Sequence, residues 1–171
     1  MKAKIVRFHE SGGPEVLKLE TIEITPPGQD EVLIDVKALG LNRAEVMFRS
    51  GRYLQQPKFP ARIGYEASGI VKAVGSAVKN VKPGDIVSVV PHSDLSKYGV
   101  YGEIATVPAY FVVKHPENLS FNEAAAIWMQ YLTAYGALYD IAQIKKGDFV
   151  VITAASSSVG LAAIELTNLA G

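Results

Sequence analysis

The chain predicts a mostly β, partly open barrel, followed by a helix and the first βα unit of an α/β domain. Three observations carry that expectation. Short extended segments broken by glycine and proline run from Met1 to about His115, the character turns to alanine-rich helix at Ser120, and residues 146–171 read as strand, small-residue turn and helix. The expected division is 1–119 for the barrel and 120–171 for the helix and the βα unit.

Ala3, Ile5 and Phe8 with Val6 mark a first strand, which Ser11-Gly12-Gly13-Pro14 breaks. Residues 17–24 form a second extended segment, closed by Pro26-Pro27-Gly28. Val32, Ile34, Val36 and Ala38 alternate with Glu31, Asp35 and Lys37, the period of a strand with one wet face, and Gly40 ends it. Residues 42–50 read as a short helix stopped by Gly51, and the proline- and glutamine-rich stretch to Pro60 as loop. In the long strand 65–75, Ala67, Gly69, Val71 and Ala73 share a face, with glycine where another backbone passes closely. Lys82-Pro83-Gly84-Asp85 turns into a strand at 86–90, and after a polar loop 103–107 and 111–113 complete the set. Ser120-Phe121-Asn122-Glu123 is a capping box opening a helix to about Ala142, with Gly136 as the point where it kinks or divides.

Residues 149–152 are an unbroken apolar run, β-branched in the last three, which predicts a strand buried on both faces. Only small side chains follow from Ala154 to Ser158, and Val159, Ala162, Ala163, Leu166 and Ala170 then form one apolar helical stripe. A strand feeding a helix through such a turn is how α/β folds build a pyrophosphate site, because free helix N–H groups and the positive dipole end face the anion. The glycine rule G-x-G-x-x-G is met here as Ala155-x-Ser157-x-x-Gly160. The alternative is an ordinary βα unit whose small residues serve close helix packing. The residue that reads the adenosine ribose comes ~20 positions on in such folds, outside this sequence.

Seventeen lysines and arginines balance seventeen aspartates and glutamates, so there is no electrostatic case for nucleic acid or an anionic membrane as partner. Cysteine is absent, which excludes disulfides, thiolate metal sites and cysteine nucleophiles. The start MKAKIVRFHE has no apolar signal core and no stretch is long enough for a membrane span, which makes a cytoplasmic protein the simplest reading.

Five segments in register, GLNRAEVMFRSG (40–51), GYEASGIVKAVG (64–75), KPGDIV (82–87), LSFNEAAAIWMQYLTAYGAL (119–138) and the AASSSVG turn (154–160), resemble the medium-chain dehydrogenase/reductase superfamily, in its zinc-free quinone oxidoreductase-like branch. The resemblance covers nearly the whole chain. It implies a GroES-like catalytic domain followed by a nicotinamide-binding Rossmann domain, with substrate in the cleft between them. Hydride passes directly between nicotinamide and substrate, so the protein's task is mostly orientation and polarisation. The cofactor implied is NADP(H) or NAD(H), with NADP(H) the habit of the branch.

Zinc-bearing relatives place their catalytic ligands at the positions of Asn42, Tyr65 and Met129, none of which is a good zinc ligand, so the expectation is a protein without zinc. A developing oxyanion then needs hydrogen-bond donors. The resemblance points to Asn42 as the first candidate, and the alternative role for Asn42 is helix capping. Tyr65 offers a phenol, or is simply a half-buried aromatic at a strand start, and Glu66 orients its neighbours. Met47 stands where many members of the branch carry a tyrosine, and Tyr53, near in sequence, is its replacement. Arg49 matches the family and faces either the cleft or solvent. Thr133 matches the threonine beside the nicotinamide, and Ala155, Ser156, Ser157, Ser158, Val159 and Gly160 form the expected pyrophosphate turn. His9, His92 and His115 match no motif and read as surface or packing residues.

The leading expectation is a nicotinamide-dependent reductase of quinones, enones or related carbonyl compounds, impaired or inactive as this 171-residue chain, which lacks most of a cofactor domain. The alternative is a non-catalytic GroES-like fragment acting as an association unit. A lone apolar strand invites pairing, so residues 148–171 are expected to be poorly ordered or to join the same segment of a second copy in a homo-oligomer.

Overall fold

A computed structural model describes residues 1–92 and 94–171. The chain divides into two compact units, Met1–Ala126 and Ile127–Gly171.

The first unit holds the strands β1 (Lys2–Phe8), β2 (Lys18–Glu23), β3 (Glu31–Gly40), β4 (Ala61–Arg62), β5 (Glu66–Val74), β6 (Ile86–Val89), β7 (Ile104–Pro108) and β8 (Val112–Lys114). They form an open arrangement of a three-stranded sheet, β2-β1-β4, and a five-stranded sheet, β7-β3-β5-β6-β8. Every pairing is antiparallel. The two sheets meet where Ile5 bridges to Gly102 and the Val6 N–H donates to the Tyr101 carbonyl at 2.9 Å. The core of the larger sheet is β-branched, with Val32, Ile34, Val71, Val87, Val89 and Val107 buried together, the composition that packs best on a pleated surface. Gly69 is required by the pairing of β5 with β3, because a Cβ there would run into the Asp35 carbonyl oxygen.

Helix α1 (Arg43–Arg49) follows β3, and α2 (Leu95–Tyr98) lies in the stretch expected to be a polar loop. Leu95 is fully buried and Asp94 caps this short helix by accepting the Lys97 N–H at 3.3 Å, a local signal hidden among polar neighbours. The strand β4 also falls in a stretch read as loop, and it is only two residues long.

The single helix expected from Ser120 to Ala142 is instead α3 (Phe121–Ala125), α4 (Trp128–Tyr135) and a π-helical stretch, Gly136–Ile141. The division falls before Gly136 for a visible reason. The Ser88 hydroxyl donates to the Ala124 carbonyl at 2.9 Å and the Ser68 hydroxyl to the Phe121 carbonyl at 2.6 Å, which diverts acceptors that a continuing helix would use. Gly136 itself stays helical (φ −58°, ψ −41°) and marks the change to the wider turn.

Residues 149–152 correct the expectation of a strand buried on both faces. They make no sheet ladder among the described residues. Val150 and Ile152 pack on Ala134, Leu138, Ala162 and Ala163, while Phe149 and Val151 are fully exposed. With no neighbouring strand only one side of the run is covered, by helix α5 (Ser158–Ala170) and α4. The stripe of α5 is buried at Ala162 and Ala163 and partly at Leu166, whereas Val159 stands outside that cluster.

Candidate active-site groove and pyrophosphate turn

In the first unit, Asn42 is the extended N-cap of α1 (φ −128°, ψ 143°) and forms a capping box with Glu45. Its backbone N–H donates to Glu45 Oε2 at 2.9 Å, and its side-chain Nδ2 donates to Glu66 Oε1 at 2.9 Å. Capping and donating are therefore compatible here, since an amide nitrogen carries two hydrogens and Glu66 takes one. Asn42, Glu45 and Tyr101 line a groove of about 390 Å³ whose apolar wall includes Leu17, Val46 and Ile63. Arg49 also lines it, with its Nε donating to the Gly12 carbonyl at 3.2 Å. Met47 is exposed.

Glu45 and Glu66 are 3% and 2% exposed. Burial pushes the Glu45 carboxyl up from its ordinary range; donors from Tyr101, Asn42 and Tyr65 oppose the rise, and Glu66 nearby adds to it. Burial, then the bond to Glu45, pushes the Tyr101 phenol up as well.

Tyr53 and Tyr65 meet edge to face, with ring centroids 6.3 Å apart, and neither lines the groove with Asn42. Tyr65 is buried and its backbone N–H donates to Glu45 Oε1 at 2.9 Å. Burial, followed by its hydrogen bond with Tyr53, pushes the Tyr65 phenol far up. Such a phenol holds its proton, which suits it to donating a hydrogen bond more than to releasing an acid proton.

The three histidines differ. His9 is exposed and bonded to Glu20 at 2.6 Å, and His115 is buried with Nδ1 3.0 Å from the Ser88 hydroxyl. His92 is buried beside Tyr65, Tyr98 and Phe111, and among the described residues neither ring nitrogen finds a partner at ordinary hydrogen-bond geometry.

In the second unit, Thr133 is exposed on α4 and its hydroxyl donates to the Met129 carbonyl at 2.6 Å. The turn at 154–160 opens with Ala154 in the left-handed region (φ 50°), and the Ser157 N–H closes it on the Ala154 carbonyl at 2.9 Å. Ser157 Oγ accepts the Gly160 N–H at 3.0 Å, which makes Ser157 the N-cap of α5. A Cβ on the buried Gly160 would stand 2.6 Å from the Ala154 carbonyl oxygen and 2.8 Å from Ala155 Cα, so only glycine allows this close return of the turn. Ala155, Ser156, Ser157, Ser158 and Val159 are all exposed around the helix start. Small exposed residues on an open helix N-terminus fit a phosphate group.

The three positions where the resemblance expects zinc ligands hold Asn42, Tyr65 and Met129, none with the thiolate, imidazole or carboxylate that zinc takes. Among the described residues no three His, Cys, Asp or Glu side chains come together as a metal-holding group. No described helix is long and apolar enough to cross a membrane.

Glu45 and Tyr101 are parts of the groove that the sequence does not single out. The spacing Asn42-x-x-Glu45 carries a capping-box signal that was available, whereas Tyr101 lies 56 positions from Glu45 and has no local signal.

Residues 28–117 match the family of alcohol dehydrogenase GroES-like domains. The chain is 41% identical over 169 residues to the human (Homo sapiens) quinone oxidoreductase, covering 98% of this chain and 50% of that protein. It is 38% identical over 157 residues to the rat (Rattus norvegicus) synaptic vesicle membrane protein VAT-1 homolog, covering 91% of this chain and 38% of that protein. Among solved structures, the Escherichia coli quinone oxidoreductase complexed with NADPH superposes with a TM-score of 0.86 at 33% identity, over 98% of this chain and 50% of that one. The chain thus spans about half the length or less of these relatives.

Proposed function

We infer a function from one premise: this chain belongs to the alcohol dehydrogenase GroES-like family, in the quinone oxidoreductase-like branch of the medium-chain dehydrogenase/reductase superfamily. It is the substrate-holding part of an NAD(P)H-dependent reductase of quinones, enones or related electrophilic carbonyl compounds, acting without zinc. The observation that carries this reading is Asn42, an amide anchored on Glu66 at 2.9 Å on the wall of an apolar groove.

A bound nicotinamide supplies the hydride. The remaining Asn42 N–H donates to the substrate oxygen as negative charge develops there, and a fixed donor is worth more in an apolar groove than in water. Tyr65 and Tyr53 lie outside the groove lining and are hydrogen-bonded to each other, so of this pair one phenolic hydrogen at most is left to donate. Thr133 would stand beside a bound nicotinamide, and residues 155–160 would hold its pyrophosphate. NADP(H) is the preferred form, a reading supported by the NADPH complex of the E. coli relative.

The test is a titration of the 171-residue chain with 1,4-naphthoquinone, followed by amide NMR. The expected shifts cluster at Leu17, Asn42, Arg43 and Val46, and N42A weakens binding about tenfold, the scale of one lost hydrogen bond to a buried partner. Shifts confined to other surfaces, or an N42A affinity equal to that of the parent, would sink the reading.

A further inference from the structure

We propose that Glu45 is a positioning residue that ties Asn42, on the groove, to the backbone of Tyr65, and that Tyr101 holds Glu45 in this role. This rests on the reading of Asn42 as the carbonyl donor. Both oxygens of the 3%-exposed Glu45 are committed: Oε1 accepts from the Tyr65 N–H at 2.9 Å, and Oε2 accepts from the Asn42 N–H at 2.9 Å and the Tyr101 hydroxyl at 2.5 Å. The three donors come from the start of α1, the residue before β5 and the loop before β7. A helix cap needs only the first of them; the other two tie the cap to distant parts of the barrel.

Tyr101 cannot swing away from this contact. Its carbonyl accepts the Val6 N–H at 2.9 Å and its own N–H donates to the Ile63 carbonyl at 2.9 Å, so its backbone is fastened to β1 and to the entry of β5. Its ring fills the space beside Gly64 (φ +107°), where any Cβ would strike it. Asn42 is then held from two directions, by Glu45 at its backbone and by Glu66 at its amide. An amide restrained in this way meets a developing charge without first reorganising.

The experiment uses E45Q, E45A and Y101F in the 171-residue chain, with the Asn42 and Tyr65 backbone amide signals and 1,4-naphthoquinone affinity as readouts. E45Q keeps the size of the side chain but cannot ionise and sets an NH2 against incoming donors. In the parent, the Asn42 and Tyr65 backbone N–H signals, both bonded to Glu45, follow the titration of one carboxyl with a midpoint above the ordinary range; in E45Q that response disappears. In Y101F the midpoint moves further up, because the carboxylate loses a donor. Naphthoquinone affinity falls about tenfold in E45A, and E45Q recovers part of the loss. A folded E45Q whose Asn42 and Tyr65 backbone amides keep their pH response overturns the proposal, as does an unchanged affinity in folded E45A. If E45A does not fold, E45Q decides. If naphthoquinone fails to bind the parent, the reading of the groove as a carbonyl site falls, and the Asn42 titration still decides the role of Glu45.

Discussion

His92 is an imidazole in an aromatic box, with the rings of Phe111, Tyr98 and Tyr65 centred 5.5, 6.2 and 6.4 Å away. Burial drives its pKa down to about 4, and the backbone at Tyr98 and the charge of Asp94 only partly oppose that. The unfolded chain therefore takes up a proton near the ordinary value of 6.5 while the folded one does not. Above that value the two states bind alike; as pH falls from 6.5 toward 4, stability is lost. Between about pH 7 and pH 5 the loss assigned to His92 is about 2 kcal/mol. Urea unfolding of H92F should show a pH dependence smaller by that amount over the same interval, and an equal dependence in parent and variant would count against the box. The sequence leaves His92 as a surface or packing residue; the structure makes it a packing residue and adds the cost of its burial. Burial at a single residue is set by rings from Tyr65, Tyr98 and Phe111, which no local pattern joins. The same limit explains Glu45: its cap with Asn42 is legible three residues apart, and its hold by Tyr101 is legible only in three dimensions.

Among the elements, those with a strict period were legible and those built by neighbours were not. The strands β1, β3, β5 and β6 fall where alternation and turn residues place them, because a half-buried strand writes its period of two into the sequence. The two-residue β4 and four-residue α2 are too short to carry a period, and contacts made elsewhere in the barrel hold them. The helix division after α3 depends on the hydroxyls of Ser68 and Ser88, which lie on β5 and β6. The segment 149–152 reads as a strand because its composition is that of one, yet a strand exists only with a partner, and Phe149 and Val151 remain bare. We propose that this face joins the same segment of a second copy. Sedimentation velocity should show concentration-dependent association of the parent and a monomer for the double variant F149S and V151S, with no loss of fold since both side chains are exposed. A monomeric parent across the concentration range would contradict it.

The whole molecule combines a barrel with balanced surface charge and a second unit that opens like a nucleotide-binding domain. Balanced net charge gives no electrostatic case for a polyanion as partner. Family membership was legible because motifs spread over residues 40–160 kept their order, whereas no one of them was specific. The most direct test of the reductase reading replaces the matching half of the E. coli quinone oxidoreductase with this chain and follows NADPH oxidation by 1,4-naphthoquinone. A folded chimera that binds NADPH is predicted to oxidise it in a quinone-dependent reaction, and N42A is predicted to slow that reaction about tenfold or more without loss of NADPH binding. A folded, NADPH-binding chimera with no quinone-dependent oxidation, or one indifferent to N42A, would contradict the account.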